Sequence, residues 1–522
     1  MRDVLFMGGK KEMKKIIKNV LKAISILSLF CVTGCGGNMK DASWAKESIF
    51  YQIFVRSFYD SNNDGIGDFN GVAQKLDYIK DLGANAIWLM PINKCETYHG
   101  YDMIDYYDVQ REYGTMSDLE NLINECHKRD MKIIMDLVIN HTSNHHPWFQ
   151  SAMREPDSEF HDRYIFETDP TKQFNIREAP NGERFYAVFS DHMPDLNYKN
   201  ENVRNEMLKV ADFWLDKGMD GFRLDAAKFI DEDMNITHSW WKTFTKHVQE
   251  KNPSAFIVGE NWITKLDEIS EFYADMNSSF NFNLCDTIGR MAQGQVVDIA
   301  GRVTSMREKY TEVSNREDSV NNCPVDSTMI NNHDMDRIAS LLKGNKERTK
   351  MAATLLYTLP GTPFIYYGEE LGQLGRSPDP NRREPFDWYK SASGEGMTKM
   401  NRRDFTNMTY TKANDGISLE EEIDDENSIY NHYKKLIKIR RNNPYIFNGI
   451  LENIPCKGFG MYRFRTYNEK KSKFIDSVFN FGKKTFSFTV DYDCVDLLTG
   501  TEYEKGTEIS MEKEKELVLQ ER

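Results

Sequence analysis

Two rhythms of apolar and polar residues alternate along most of this chain. Short apolar runs at 48–58, 86–90, 132–139, 219–224, 256–258 and 329–330 are rich in β-branched and aromatic residues and too brief for helices, so they predict buried strands. Longer stretches such as 72–82, 203–217 and 240–251 carry an apolar residue every three or four positions, the spacing of a helix that buries one face. Strand followed by helix, repeated, predicts an α/β fold built on a parallel sheet.

The rhythm breaks in four places. Residues 40–47 read as a short polar tether. From His141 to about Asn202 the helical period is lost and His, Pro, Asp and aromatics become frequent, which predicts a small inserted domain after the third strand. Residues 387–426 form a polar excursion after the eighth strand, and 430–441 restore an amphipathic closing helix. Beyond Pro444 the period shortens to two, as in Gly460 to Arg465 and Thr485 to Val490, which predicts an antiparallel β-sandwich.

Three predicted strands run into acids: Gly221-Phe222-Arg223-Leu224-Asp225, Val258-Gly259-Glu260, and Asn331-Asn332-His333-Asp334. Taken singly, each acid reads equally well as a helix cap or a solvated charge. Taken together they predict a centre, because a closed (β/α)8 TIM barrel gathers the C-terminal ends of its strands around one mouth. The expected organisation is a barrel at 36–141 and 203–443, an inserted domain at 142–202 and a C-terminal antiparallel β-sandwich at 444–522.

Carboxylates converging on one mouth suit retaining glycoside cleavage, in which one attacks the anomeric carbon and another protonates the departing oxygen. The expected roles are nucleophile for Asp225, acid/base for Glu260 and transition-state support for Asp334. Arg223 lies two residues before Asp225 and shares its strand face, so its guanidinium is expected to keep the nucleophile ionised. Glu260 has to start protonated, and a less polar setting beside Trp262 is expected to raise its pKa.

These segments resemble the α-amylase superfamily of retaining glycosidases. Asp136-Leu137-Val138-Ile139-Asn140-His141 is similar to its third-strand motif, Gly221 to Asp225 to its fourth, Gly259-Glu260 to its fifth and Asn332-His333-Asp334 to its seventh. Lesser segments agree: Gly83 to Pro91, Met193-Pro194-Asp195-Leu196-Asn197, Gly361-Thr362-Pro363 through Gly368, and Arg382 to Trp388 near the mouth. The resemblance implies that His141 and His333 bind hydroxyls of the sugar being cut and that Tyr101 stacks beneath its ring. Lys228 matches a lysine that reaches the sugar beyond the scissile bond; its other reading is a solvated charge at a helix start.

The resemblance also bears on the bond. A small residue after the nucleophile, here Ala226, is similar to the α-1,4 group, whereas α-1,6 enzymes tend to carry Val. Exo-acting α-glucosidases carry an Asp-Asn pair where this chain has Tyr98-His99, so the resemblance implies an open cleft with His99 at its wall. The Met193 to Asn197 segment belongs to a group intermediate between the oligo-1,6-glucosidase and amylase branches. The implied activity is an α-amylase on starch or maltooligosaccharides. The alternatives are an α-glucosidase or oligo-1,6-glucosidase, a cyclomaltodextrinase or neopullulanase, and, in another class, a catalytically silent sugar-binding lipoprotein.

Asp60, Asn62, Asp64 and Asp68 place oxygen-bearing side chains at alternate positions, with Gly65 and Gly67 allowing a tight turn. With the Ile66 carbonyl they make an oxygen set suited to Ca2+, expected to be structural. The same pattern without an ion is an Asp/Asn/Gly turn.

Composition narrows the class further. With 40% hydrophobic residues, 522 residues are ample for a large core, and a net charge of −14 argues against nucleic-acid partners. Residues 1–35 differ from the rest. Lys14, Lys15, Lys18 and Lys22 precede an uncharged apolar run at 23–30, too short for a bilayer but suited to a secretory signal. Val32-Thr33-Gly34-Cys35 resembles a bacterial lipobox, which implies lipidation of Cys35 and a place on the extracellular face of the cell membrane, or plain secretion without the lipid. The reading puts the true start at Met13, and Gly8 to Glu12 is read as a translated ribosome-binding site. Cys31 is expected to leave with the signal, and the six cysteines beyond Cys35 are scattered without a CxxC pair, so free thiols are expected, with Cys456 and Cys494 the one pair able to meet. A monomer is expected.

Overall fold

In the computed structural model, which describes residues 41–155, 157–179, 181–401 and 405–522, eight short parallel strands close on themselves. They are β1 (Phe50–Ile53), β2 (Ala86–Leu89), β3 (Lys132–Leu137), β4 (Gly221–Leu224), β5 (Phe256–Gly259), β6 (Ser278–Phe280), β7 (Val325–Thr328) and β8 (Thr362–Tyr366). Each pairs with its sequence neighbours, and β8 returns to β1 with Phe364 opposite Phe50. Both faces of nearly every strand are buried, which is why the sequence shows continuous apolar runs rather than alternation.

The barrel interior is packed, not hollow. Phe50, Trp88, Phe256, Phe280 and Phe364 fill it, with the Phe50 and Phe364 rings stacked 4.2 Å apart at 4°. A second layer of apolar residues lies between the strands and the surrounding helices. Gly221 opens β4 because backbones crowd there: its φ is 150°, and a β-carbon would stand 1.9 Å from the Phe256 carbonyl oxygen.

The start of the described chain corrects one expectation. Residues Ser43–Glu47 form a 3-10 helix rather than a tether, with Ala42 and Ala45 fully buried. Trp44 packs on Phe50 and Phe256 and donates its indole N–H to the Ser254 carbonyl at 2.8 Å. Three apolar residues among five polar ones were enough to close the N-terminal end of the barrel. The expected signal segment at 1–35, with Cys35, lies outside the described residues. Among the described residues no helix is long and apolar enough to cross a membrane.

Between β3 and the helix Glu201–Asp216 the chain leaves the barrel to form the helix Pro147–Arg154 and the hairpin Ile176–Glu178 with Arg184–Tyr186. An antiparallel bridge between His141 and Asp195 pins the base of this excursion. Beyond the helix Ile429–Asn442 stands a six-stranded antiparallel sheet centred on Phe474–Asn480, paired with Met461–Tyr467 and Lys515–Glu521. A two-stranded sheet, Phe486–Thr489 with Glu508–Met511, packs over it through Met461, Val478, Phe488, Val490 and Ile509. The six cysteines of the described residues are all free thiols.

Arg440 joins barrel and sandwich. Fully buried and without a carboxylate partner, it donates to the carbonyls of Tyr357 and Leu359, both at 2.8 Å, and of Gly361, while stacking on Phe447 at 4.2 Å. Burial pulls its pKa down to about 9, yet the C-terminal carbonyls of the helix Lys346–Thr358 need a donor there. Arg440→Met should therefore cost about 3 kcal/mol, because it leaves several buried carbonyls unpaired. Thermal unfolding followed by circular dichroism should show the fall, and an unchanged midpoint would refute this role.

Candidate active site

Arg223 organises the mouth of the barrel. It sits on β4 with no solvent exposure, and its Nη1 donates to Asp136 Oδ1 of β3 and to Asp225 Oδ1, both at 2.5 Å. Its Nη2 lies 3.0 Å from Glu260 Oε2, just past β5. One guanidinium therefore spans three carboxylates from three strands, and Asp225 and Glu260 face the same space. That space is a cleft of about 350 Å³, lined also by Asp334, His99, Tyr101, His141 and Lys228.

The backbone aims the pair. Ala226 takes a left-handed conformation, φ 48°, immediately after Asp225, and its N–H donates to Glu260 Oε2 at 3.0 Å. The next N–H, of Ala227, donates to the Glu260 carbonyl at 3.1 Å. A strained turn thus ties the end of β4 to the end of β5 at the point where the two carboxylates emerge.

His333 and Tyr101 form the floor. Burial pulls the His333 pKa down, so the ring is neutral. With Gln52 Nε2 donating to Nδ1 at 2.7 Å, its proton sits on Nε2, which faces Tyr101 Oη at 2.5 Å and Asp334 Oδ2 at 3.0 Å. Tyr101 in turn donates to Asp136 Oδ2 at 3.3 Å, and its ring lies parallel to the imidazole at 5.5 Å. His141 is also neutral, its pKa lowered by burial to about 4, and its Nε2–H points at the Tyr101 carbonyl at 3.0 Å. His99 accepts from the Tyr101 N–H at 3.1 Å.

The carboxylates differ in their electrostatics. Burial raises Asp225 and outweighs the opposing pull of Arg223. Arg223 was expected to keep the nucleophile ionised, and it does pull that way, but its Nη1 is shared with Asp136, which burial lifts to about 8, and the net shift of Asp225 is upward. Glu260 is also raised, first by burial and then by the charges of Asp225 and Asp334. Trp262 lines the same cleft from its rim, 44% exposed and stacked on Phe282 at 4.4 Å. Burial would lift Asp334 too, but His333 and Arg383 hold it far below the usual carboxylate range.

Sequence reading missed several members of this site. Arg383 donates to Asp334 Oδ1 at 2.8 Å and to the His333 carbonyl at 3.2 Å. Asp136, Gln52 and Phe189 were also overlooked as contacts. Asp136 and Arg383 stood inside segments already singled out, so their charge was a usable signal; Gln52 in β1 and Phe189 in the excursion gave none. Lys228 reaches the rim, where its Nζ donates to the Trp262 carbonyl at 2.8 Å.

The oxygen-rich loop after β1 lies apart, and none of its five candidate ligands lines the cleft. Asp60 accepts from the N–H groups of Asn63 and Gly65, both at 2.7 Å, Asn62 from Asp64 N–H at 2.9 Å, and Asp64 from Ile66 N–H at 2.8 Å. Asp68 caps the helix Phe69–Gln74 through Gly71 N–H at 2.7 Å. Among the described residues no group of three or more His, Cys, Asp or Glu is arranged to hold a metal. The donor set remains all hard oxygen, and each carboxylate keeps lone pairs beyond those bonds, so the residues fit Ca2+ chemically.

Comparison with known proteins agrees with this geometry. The family described as Alpha amylase, catalytic domain, matches residues 52–449. A protein named Alpha-amylase 3 from Dictyoglomus thermophilum is 40% identical over 93% of this chain and 95% of its own length. An Oligo-1,6-glucosidase from Parageobacillus thermoglucosidasius is 32% identical over 85% of this chain and 91% of its own. The crystal structure of alpha-amylase from H. orenii superposes with a TM-score of 0.79 at 34% identity, over 91% of this chain and 100% of that one. The chain belongs to the α-amylase family of retaining glycoside hydrolases, glycoside hydrolase family 13.

Proposed function

We propose that the enzyme is an α-amylase that cuts internal α-1,4 links of starch and maltooligosaccharides. The observation that carries this reading is the end of the cleft beside Tyr101. There Tyr98 is buried against Phe405, with the rings stacked at 4.9 Å, and Arg383 lies over its face at 5.9 Å. Tyr98 thus stands where the resemblance places the aspartate that closes a pocket around a terminal glucose, which supports passage of a longer chain.

In the proposed cycle Asp225 attacks the anomeric carbon as Glu260 gives its proton to the departing glycosidic oxygen. The bond from carbon to that oxygen breaks, and a glycosyl ester to Asp225 forms. Glu260, now a carboxylate, takes a proton from water as the water attacks the same carbon and frees Asp225, so configuration is retained. Asp334, kept ionised by Arg383 and His333, binds sugar hydroxyls, as do His99, His141 and His333. Tyr101 underlies the ring and Lys228 reaches the sugar beyond the break.

The proposal extends to placement and ions. The leader at 1–35 would direct export, and a lipid on Cys35 would hold a monomeric enzyme on the outer face of the bacterial membrane. Asp60, Asn62, Asp64, Asp68 and the Ile66 carbonyl would hold one structural Ca2+.

Maltoheptaose blocked at its non-reducing end should be cut in its interior; an enzyme that leaves it intact while releasing glucose from the unblocked chain is an α-glucosidase. Activity against pH should be bell-shaped, falling at low pH as Asp225 takes a proton and at high pH as Glu260 loses its own. In Arg383→Gln Asp334 loses the cation that holds it down and should join Asp225 in the acid limb, which should steepen or move to higher pH, while the basic limb stays. An unchanged acid limb would remove that role. Chelation should lower the melting temperature and added Ca2+ restore it; if melting and activity both ignore the chelator, the ion is not there.

A further inference from the structure

The barrel encloses a second cavity at its other end. This space of about 200 Å³ lies between barrel and sandwich, lined by Asp326 and Thr362 at the starts of β7 and β8, by Lys46, by Arg307 and Tyr310 of the helix Ile299–Ser314, and by Phe447. Its polar groups are poorly matched to one another. Asp326 Oδ1 accepts from Asn281 at 3.0 Å, but Oδ2 is buried without a partner, and so is the Tyr310 hydroxyl. Arg307 gives Nη1 to the Gly449 carbonyl at 2.6 Å. Arg307 and Asp326 stabilise one another electrostatically, yet no ion pair joins them. Buried groups left this way normally mark something missing between them.

The chemistry of the missing group can be narrowed. A bare cation would meet Arg307 and Lys46, and a bare anion would meet Asp326. A hydroxyl suits both, since it donates to the carboxylate and accepts from the guanidinium. Tyr273 and Tyr310, stacked on one another 3.9 Å apart at 10°, add aromatic carbon to the lining. The volume falls below the range of about 300–1,000 Å³ typical of larger ligands, so a single sugar ring is the upper limit.

We propose that this cavity is a second binding site, for a monosaccharide-sized polyol held between Asp326, Arg307 and the Tyr310 hydroxyl, at the end of the barrel opposite the catalytic cleft. It does not depend on which glucan the cleft cuts.

Equilibrium dialysis of labelled glucose against the full chain tests it. Two sites per molecule are expected, one of them in the cleft and displaced by maltooligosaccharide. Asp326→Asn turns the free acceptor into a donor, so it should weaken the other site about tenfold or more while leaving maltooligosaccharide hydrolysis unchanged. If that variant fails to fold, Tyr310→Phe keeps the ring and removes only the hydroxyl, and should weaken the same site about fivefold. A single displaceable site in the unmodified protein means that the cavity holds only water and overturns the proposal. Undiminished binding at both sites in either folded variant overturns it as well.

Discussion

The structure of the cleft depends on one buried guanidinium. Arg223 has no contact with solvent, and three carboxylates from β3, β4 and β5 converge on it. Acids this close and this deeply buried need such a cation between them. Removing the guanidinium would leave them without a counter-charge. The interaction is thus a condition for closing this side of the barrel as well as for its chemistry, and it fixes Asp225 and Glu260 against one another before any substrate arrives.

Around that centre the molecule separates what must stay charged from what must hold a proton. Asp334 is kept ionised by Arg383 beside a histidine that burial keeps neutral. Asp225 and Glu260 are both raised by burial against the pull of Arg223, and the charge of Asp225 lifts Glu260 further. Such a pair can pass its proton load to a leaving group and recover it from water. The inserted excursion contributes His141 and Phe189 to the cleft wall, and its bridge from His141 to Asp195 holds that wall to the end of β3.

Much of this was legible in the sequence. Apolar runs buried on both faces cannot hide their strands, and an acid after each of three runs gave away the mouth. What was not legible was pairing across great sequence distance. Gln52 sets the tautomer of His333 from 281 residues away, and no local pattern announces it. The role of Arg383 was missed because it lies 49 residues from Asp334 along the chain. Trp44 was misread for the opposite reason: its surroundings are polar enough to look like linker, and only the packed barrel reveals what an isolated tryptophan there is for. The excursion at 142–202 announced itself by losing the helical period, but its hairpin and short helix did not.

That tryptophan has a practical consequence. The polypeptide enters the barrel at the end Trp44 seals, while the strands deliver their acids at the other. A fusion partner, affinity handle or solid support joined ahead of Asp41 is therefore attached behind the enzyme. Immobilised in that orientation, the protein would present its working opening outward, away from the support.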